Sequence, residues 1–253
     1  MSAMRVQLQQ PMDAIIFDCD GTLSSIEGID ELARQNGVAA PVAALTAIAM
    51  GRTGINPDLY QERLSLVKPH SEQVLALGRE YYQEITPDAR AVVQIFQRLE
   101  KAIYLVSAGL MPAVKIFGEL LQIPAANIFA VNIEFDAVGN YLSYDNTSPM
   151  TRADGKRRIV TEIKNQQANV AYVGDGLNDL AVYDLATRFI GMGGAYFRQN
   201  IADKCEFYIT DASLAPLLPL LLTAREAEAL YATERIFYQK GLQLIQSGGV
   251  KIP

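Results

Sequence analysis

Two aspartates, Asp18 and Asp20, stand one residue apart in DCDGT, directly after the apolar run AIIF. Farther along, Ser107 follows the apolar run IYLV, Lys156 follows a glycine where a helical pattern begins, and GDGLND supplies Asp175, Asn178 and Asp179. A carboxylate at the tip of a buried strand can attack phosphorus and form an aspartyl-phosphate, splitting one hard displacement into two. Asp20, two residues on, points the same way if the backbone stays extended. It can then protonate the leaving oxygen and later deprotonate water. The phosphate's charge also needs an answer. Mg²⁺ bound through one or two carboxylates supplies it, helped by a lysine point charge, a serine hydroxyl and backbone N–H groups.

Each piece alone has an ordinary reading. A D-x-D-G-T after a strand is often a solvated turn. It also matches part of a calcium loop, but neither the preceding helix nor the closing glutamate of that loop is present. Ser107 alone reads as a turn residue, Lys156 as a surface charge, and GDGLND as a turn before a capped helix. All four in this order, each at a strand end or helix start, point to phosphoryl transfer.

The surrounding pattern supplies the elements to position them. Short apolar runs at Ala14–Phe17, Ile103–Ser107, Ile128–Asn132, Asn169–Val173, Phe189–Gly191 and Phe207–Thr210 alternate with helical stretches. These include Asp88–Glu100, Pro112–Leu121, Lys156–Asn165 and Asn178–Ala186. That alternation predicts an α/β fold with a parallel sheet, and ligands of such sheets bind beyond the carboxyl ends of the strands. IEFDAVGNYLSY reads as a β-hairpin turning at Gly139-Asn140. From Ile29 to about Glu84 only helical stretches occur, which predicts a small helical bundle inserted after the first strand. The segment Ala224–Gln246 reads as one more helix, with Leu230, Phe237, Leu244 and Ile245 along a face. Core packing explains that stripe more simply than dimerisation does. The expected division is a core of residues 1–24 and 86–222, a cap of 25–85 and a C-terminal helical tail of 223–253.

The chain resembles a known family. DCDGT, Ser107, Lys156 and GDGLND match, in order, the four motifs of the haloacid dehalogenase superfamily of phosphatases. The resemblance implies a Rossmann-like core, a Mg²⁺ cofactor, Asp18 as nucleophile and Asp20 as general acid/base. Asp18, Asp20 (through its carbonyl) and Asp175 would hold the metal, with Asp179 a supporting carboxylate. Aspartate rather than threonine at position 20 favours hydrolysis over ATP-driven transport.

EGIDELA from Glu27, ERLSLVKP from Glu62 and FIGMGGAYFRQNIADKCEFYIT from Phe189 further resemble the phosphoserine phosphatase branch. The similarity runs from about Asp13 to Asp211. It implies that Glu27 and Arg63 recognise the amino and carboxylate ends of the substrate, and that Met50 belongs to the cap's apolar lining. A zwitterion does need one anion and one planar, bidentate cation. Ser107, the Ala108 amide, Lys156 and Asn178 would hold phosphate oxygens. The expected reaction is hydrolysis of O-phospho-L-serine. Two departures stand out. Asn56 beside Pro57 replaces an aromatic residue, with Tyr60 nearby, and Ser107-Ala108-Gly109 replaces Ser-Gly-Gly.

Plainer roles stay open for several residues. Glu27 suits the first turn of a helix, Arg63 could pair with Glu62 on the surface, and Arg198 could serve packing or a surface ion pair. His70 falls in a turn with no catalytic role. Alternative functions are hydrolysis of another small phosphomonoester, phosphoryl transfer to an alcohol such as homoserine, and non-catalytic binding of a phosphometabolite.

Composition narrows the partners. The chain has 253 residues, half of them hydrophobic, and a net charge of −6 with Lys156-Arg157-Arg158 its only dense basic run. Nucleic-acid binding is not expected. The start MSAMRVQLQQPM lacks the apolar stretch of a signal peptide, and LAPLLPLLL is too short to span a bilayer. Cys19 and Cys205 form no metal or redox spacing. The expectation is a cytoplasmic monomer or homodimer acting on a small molecule, without nucleic acid or membrane.

Overall fold

The computed structural model describes residues 7–49 and 54–252. Its strands are β1 (Ala14–Phe17), β2 (Ala102–Leu110), β3 (Ile128–Val131), β4 (Ile133–Phe135), β5 (Tyr141–Tyr144), β6 (Val170–Gly174), β7 (Arg188–Met192), β8 (Phe207–Ile209) and β9 (Val250–Lys251). The helices are α1 (Gly28–Gln35), α2 (Ala39–Ile48), α3 (Pro57–Val67), α4 (Ser71–Gln83), α5 (Ala89–Arg98) and α6 (Met111–Leu120). They continue with α7 (Gly155–Lys164), α8 (Leu177–Leu180), α9 (Gln199–Ala202), α10 (Leu217–Leu221), α11 (Ala224–Glu228) and α12 (Ala232–Gln246).

Seven strands form one sheet in the order β3-β2-β1-β6-β7-β8-β9, parallel except for the last pair. The α/β prediction with a parallel core therefore holds. β1 is buried at all four positions because helices cover both faces, which is why it reads as an unbroken apolar run. Register sets Phe17 beside Leu105 on one side and Val173 on the other. The residues that follow in all three strands are thereby delivered to one rim.

β2 outruns its expected end at Ser107 and continues to Leu110, with a register irregularity against β3 between Val106 and Leu110. The hairpin is present as antiparallel β4 and β5. The helix expected over Asn178–Ala186 is only the single turn α8. Its continuation tightens into bonds from Val182 N–H to the Asp179 carbonyl and from Leu185 N–H to the Val182 carbonyl.

Between β1 and α5 lie α1–α4, which pack on one another. α3 starts at Asn56, whose side chain accepts from Leu59 N–H at 3.0 Å with Pro57 in the first turn, and it stops at left-handed Lys68. Capping thus gives Asn56 a structural role at the start of α3. α4 buries Val74, Leu77, Gly78 and Tyr81, a helical stripe, and lies against α6. A Cβ on Gly78 would come 2.8 Å from the Ala113 carbonyl oxygen and 2.7 Å from Ile116 Cβ, so the two helices approach as closely as glycine permits.

The C-terminal segment departs from a single helix. α11 and α12 are separate, divided at buried Leu230, and the Glu234 carboxylate accepts from Tyr231 N–H at 2.9 Å to restart the second helix. The chain then returns as β9, which pairs antiparallel with β8 and covers that sheet edge. Lys101 ties this segment to the core: its Nζ lies 2.5 Å from Glu226 and 3.1 Å from the Met12 carbonyl. No helix among the described residues is long and apolar enough to cross a membrane.

Candidate active site

The end of β1 places Asp18 where it is 4% exposed, its Oδ1 accepting from Cys19 N–H at 2.7 Å. Lys156 reaches it from the next layer. α7 buries Lys156, Ile159, Val160 and Ile163, so the lysine occupies the inward face of an amphipathic helix. Its Nζ lies 2.7 Å from Asp18 Oδ2 and 2.6 Å from Asp179 Oδ1. Burial pushes the ammonium's pKa down, but Asp179 and Asp18 more than offset that and hold it above its usual value.

Asp179 is fully engaged. Oδ1 also accepts from the Tyr172 hydroxyl at 2.5 Å, and Oδ2 accepts from the N–H groups of Asp175 (3.1 Å) and Gly176 (2.8 Å). This carboxylate shapes the turn that carries Asp175. Asp175 itself is paired through Oδ2 with Arg198, whose Nη1 also donates to the Asp175 carbonyl at 3.1 Å. Its Oδ1 is buried and has no hydrogen-bond partner.

Asp20 points toward the helices that follow β1. Its Oδ1 accepts from Gly28 N–H at 2.6 Å and from the Tyr81 hydroxyl at 2.7 Å, and its Oδ2 faces Ser107 Oγ at 3.3 Å. Ser107 Oγ in turn accepts from Gly109 N–H at 2.9 Å. Gly21, directly after Asp20, has φ +67°, and a Cβ there would fall 2.5 Å from Asp175 Oδ2. Only glycine satisfies both demands.

A cavity of about 60 Å³ opens between this rim and α1, α3 and α4. A single water needs about 10–15 Å³ on this scale, so the space suits a small polar molecule. Asp18, Asp20, Glu27, Arg63, Ala108, Lys156, Asn178 and Asp179 line it together with Tyr60 and Tyr81. Ser107 and Asp175 lie in contact with those residues, while Met50 falls outside the described residues.

The open alternatives for the flanking charges resolve against a surface role. Glu27 occupies the position before α1 but makes no capping bond; it is buried, with Arg198 Nη2 3.6 Å from Oε1. Arg63 is buried, its Nη1 3.5 Å from Thr46 Oγ1 and its Nε without a partner. Two contacts join the α3 region to the sheet rim: the Tyr60 hydroxyl donates to the Ala108 carbonyl at 3.1 Å, and Ile55 N–H donates to Asn178 Oδ1 at 3.0 Å. Tyr60, one turn after Asn56 in α3, thus brings its ring to the cavity wall. His70 accepts from Glu72 N–H at the start of α4, and its other ring nitrogen lies 2.9 Å from the Val138 carbonyl, away from the cavity.

Electrostatics make the cluster costly as it stands. Burial, followed by the charges of Asp179 and Asp175, raises the Asp18 carboxyl well above the usual range despite Lys156. Burial, with Asp20 and Asp175 behind it, does the same to Glu27. Asp175 is pushed up to about 6 by burial, with Arg198 opposing. One ligand oxygen each from Asp18, Asp175 and Asp179 lie within 4.8 Å of one another. The buried excess of carboxylates and the orphaned Asp175 Oδ1 suit a hard cation that takes oxygen ligands.

Sequence reasoning missed several supports. Tyr81 and Tyr172 carry no signal beyond their place in a helical stretch and an apolar strand run, although each places a hydroxyl on a site carboxylate. Thr46 and Asp30 carried no signal beyond their place in helical stretches. The sequence leaves the partner of Arg198 open, and its guanidinium contacts Asp175 and Glu27.

Known proteins share this framework. A family model described as haloacid dehalogenase-like hydrolase matches residues 12–182. Phosphoserine phosphatases of Rattus norvegicus and Homo sapiens are each 36% identical over 201 residues, 79% of this chain and 89% of theirs. A solved phosphoserine phosphohydrolase-like protein from Francisella tularensis superposes with a TM-score of 0.71 at 25% identity, covering 82% of this chain and all of that one. By the match over residues 12–182 and the 36% identity to relatives covered over most of their length, with the parallel sheet and acidic rim in agreement, the chain belongs to the haloacid dehalogenase-like hydrolases.

Proposed function

We propose that the protein is a Mg²⁺-dependent phosphatase that hydrolyses O-phospho-L-serine to serine and phosphate. The observation that carries this reading is the pairing, in one small cavity, of a phosphoryl-transfer rim with a buried acid and a buried arginine, Glu27 and Arg63. The similarity to phosphoserine phosphatases supports the choice of substrate.

In this reading residues 25–85 form a cap over a core of 1–24 and 86–222, and residues 223–253 complete the core's edge. Substrate lies between cap and core. Asp18, the Asp20 carbonyl and Asp175 would hold Mg²⁺, which would supply charge neutralisation at the phosphoryl group. Asp179 serves Lys156 and the Asp175 turn, since its oxygens are already occupied.

The Asp18 carboxylate attacks phosphorus while Asp20 gives its proton to the departing serine oxygen. The Asp18–phosphorus bond forms as the phosphorus–serine oxygen bond breaks. Asp20 then takes a proton from water, which attacks phosphorus and returns Asp18 as a free carboxylate. Ser107, the Ala108 amide, Lys156 and Asn178 hold the phosphoryl oxygens. Glu27 faces the substrate ammonium and Arg63 its carboxylate.

A panel of phosphorylated metabolites, assayed with and without acceptor alcohols, tests the reading. Mg²⁺-dependent phosphate release that is fastest from O-phospho-L-serine is the expected result. Preference for another ester, or transfer to an alcohol without phosphate release, would replace it. In Arg63→Ala, efficiency on O-phospho-L-serine should fall far more than on an aryl phosphate.

A further inference from the structure

Arg63 does not stand alone. Its Nη1 lies 3.5 Å from Thr46 Oγ1, and that hydroxyl donates to Asp30 Oδ1 at 2.7 Å. A hydroxyl has one proton and two lone pairs, so with the proton committed to Asp30 the lone pairs face the guanidinium. The three residues come from α1, α2 and α3, one from each. The Tyr60 ring, 5.9 Å from the guanidinium carbon, faces Arg63 as well.

The spacing has a chemical consequence. Arg198 is paired directly with Asp175, which consumes its guanidinium. Arg63 meets Asp30 only through a threonine, so its charge is steadied without being neutralised by a bidentate carboxylate. Among the described residues, Thr46 is the only side chain that hydrogen-bonds Arg63, and it takes Nη1. The Nε, buried and without a partner, belongs to the opposite edge of the planar group. That edge offers parallel N–H donors matched to a carboxylate.

We infer that Thr46 and Asp30 are positioning residues which fix Arg63 through Nη1, so that its Nε edge is presented to the carboxylate of the substrate. This rests on the reading of Arg63 as the carboxylate receptor and identifies what sets its aim. Neither Thr46 nor Asp30 lines the cavity.

The test compares O-phospho-L-serine with O-phosphoethanolamine, which keeps the amine and phosphoester but lacks the carboxylate. Thr46→Val preserves shape and removes the hydroxyl. It is expected to raise KM for O-phospho-L-serine about tenfold with kcat within twofold, and to leave kcat/KM for O-phosphoethanolamine unchanged. Thr46→Ser should stay within about twofold of the parent on both substrates, and Asp30→Asn should raise KM for O-phospho-L-serine about threefold. Activity on O-phosphoethanolamine reports correct folding. If Thr46→Val does not fold, Asp30→Asn carries the same comparison.

Equal losses on both substrates, or an unchanged KM for O-phospho-L-serine while Arg63→Ala remains selective, would overturn the positioning role alone. A parent enzyme indifferent to the carboxylate, or Arg63→Ala affecting both substrates alike, would overturn the reading of Arg63 and this inference with it.

Discussion

The Tyr81 hydroxyl donates to Asp20 Oδ1 at 2.7 Å across a sequence separation of 61 residues. A residue of α4 thereby holds the side chain assigned to proton transfer, alongside the N–H of Gly28 at 2.6 Å. Tyr81→Phe keeps the ring in its packed position against Phe117 and removes only the donor. Losing one partner of a buried hydrogen bond costs about 1–3 kcal/mol. With Gly28 still in place, we expect a kcat lower by about tenfold and a KM within twofold of the parent, measured on O-phospho-L-serine under saturating Mg²⁺.

Divalent cation should stabilise the fold itself. Burial and neighbouring charges raise the Asp18 and Asp175 carboxyls, so their ionised forms are disfavoured in the folded chain. A cation that binds only the folded state adds RT ln(1 + [L]/Kd), about 2.7 kcal/mol at a hundred times Kd. Thermal unfolding in excess Mg²⁺ should therefore occur several degrees above that in EDTA, and Asp175→Asn should lose most of this difference. An unchanged midpoint with and without Mg²⁺ would speak against a metal at this cluster.

The α4–α6 contact predicts a destabilising alanine. Gly78→Ala gains about 1 kcal/mol of helix propensity. The new Cβ meets a backbone oxygen at 2.8 Å and a branched Cβ at 2.7 Å, neither of which is the free end of a flexible side chain. Overpacking of this kind costs about 1–3 kcal/mol. The expected net loss is about 1 kcal/mol, read as a fall of about 2–4 °C in Tm. A rise in Tm would show that the helices separate without cost.

The C-terminal segment should report its attachment through pH. Burial pushes the Glu226 carboxyl up, but Lys101 and the Thr223 N–H and hydroxyl outweigh it and hold the group below its usual value. A depressed carboxyl contributes stability above the ordinary carboxylate range, and that contribution is lost as pH falls through the folded value. Glu226→Gln should cost about 3 kcal/mol at neutral pH, because Lys101 is left buried without its anion. The gap between variant and parent, followed by urea unfolding, should narrow as pH falls below the ordinary carboxylate range.

Much of the site was legible because its chemistry is written in short local patterns. AIIF announces a strand buried on both faces, and a parallel strand so placed must end at the ligand-binding rim. The inward face of α7 follows from the spacing of Lys156, Ile159, Val160 and Ile163 along one stretch. The cap that Asn56 makes at the start of α3, by contrast, emerges only with the helix boundary itself. The single turn of α8 was also overestimated, since its short length reflects tight backbone bonds after Asp179.

The order of elements, the acidic motifs and the helices inserted after β1 were determined by the sequence itself, since periodicity and turn chemistry act between near neighbours. Only the tertiary structure decided that Tyr81 serves Asp20, that Thr46 stands between Arg63 and Asp30, that Arg198 pairs with Asp175, and that β9 closes the sheet edge. Those pairings join side chains from separate elements, and they exist because α4 can dock tightly on α6 and the chain end can return beside β8. Such distances depend on packing in three dimensions, which no spacing along one strand or helix records.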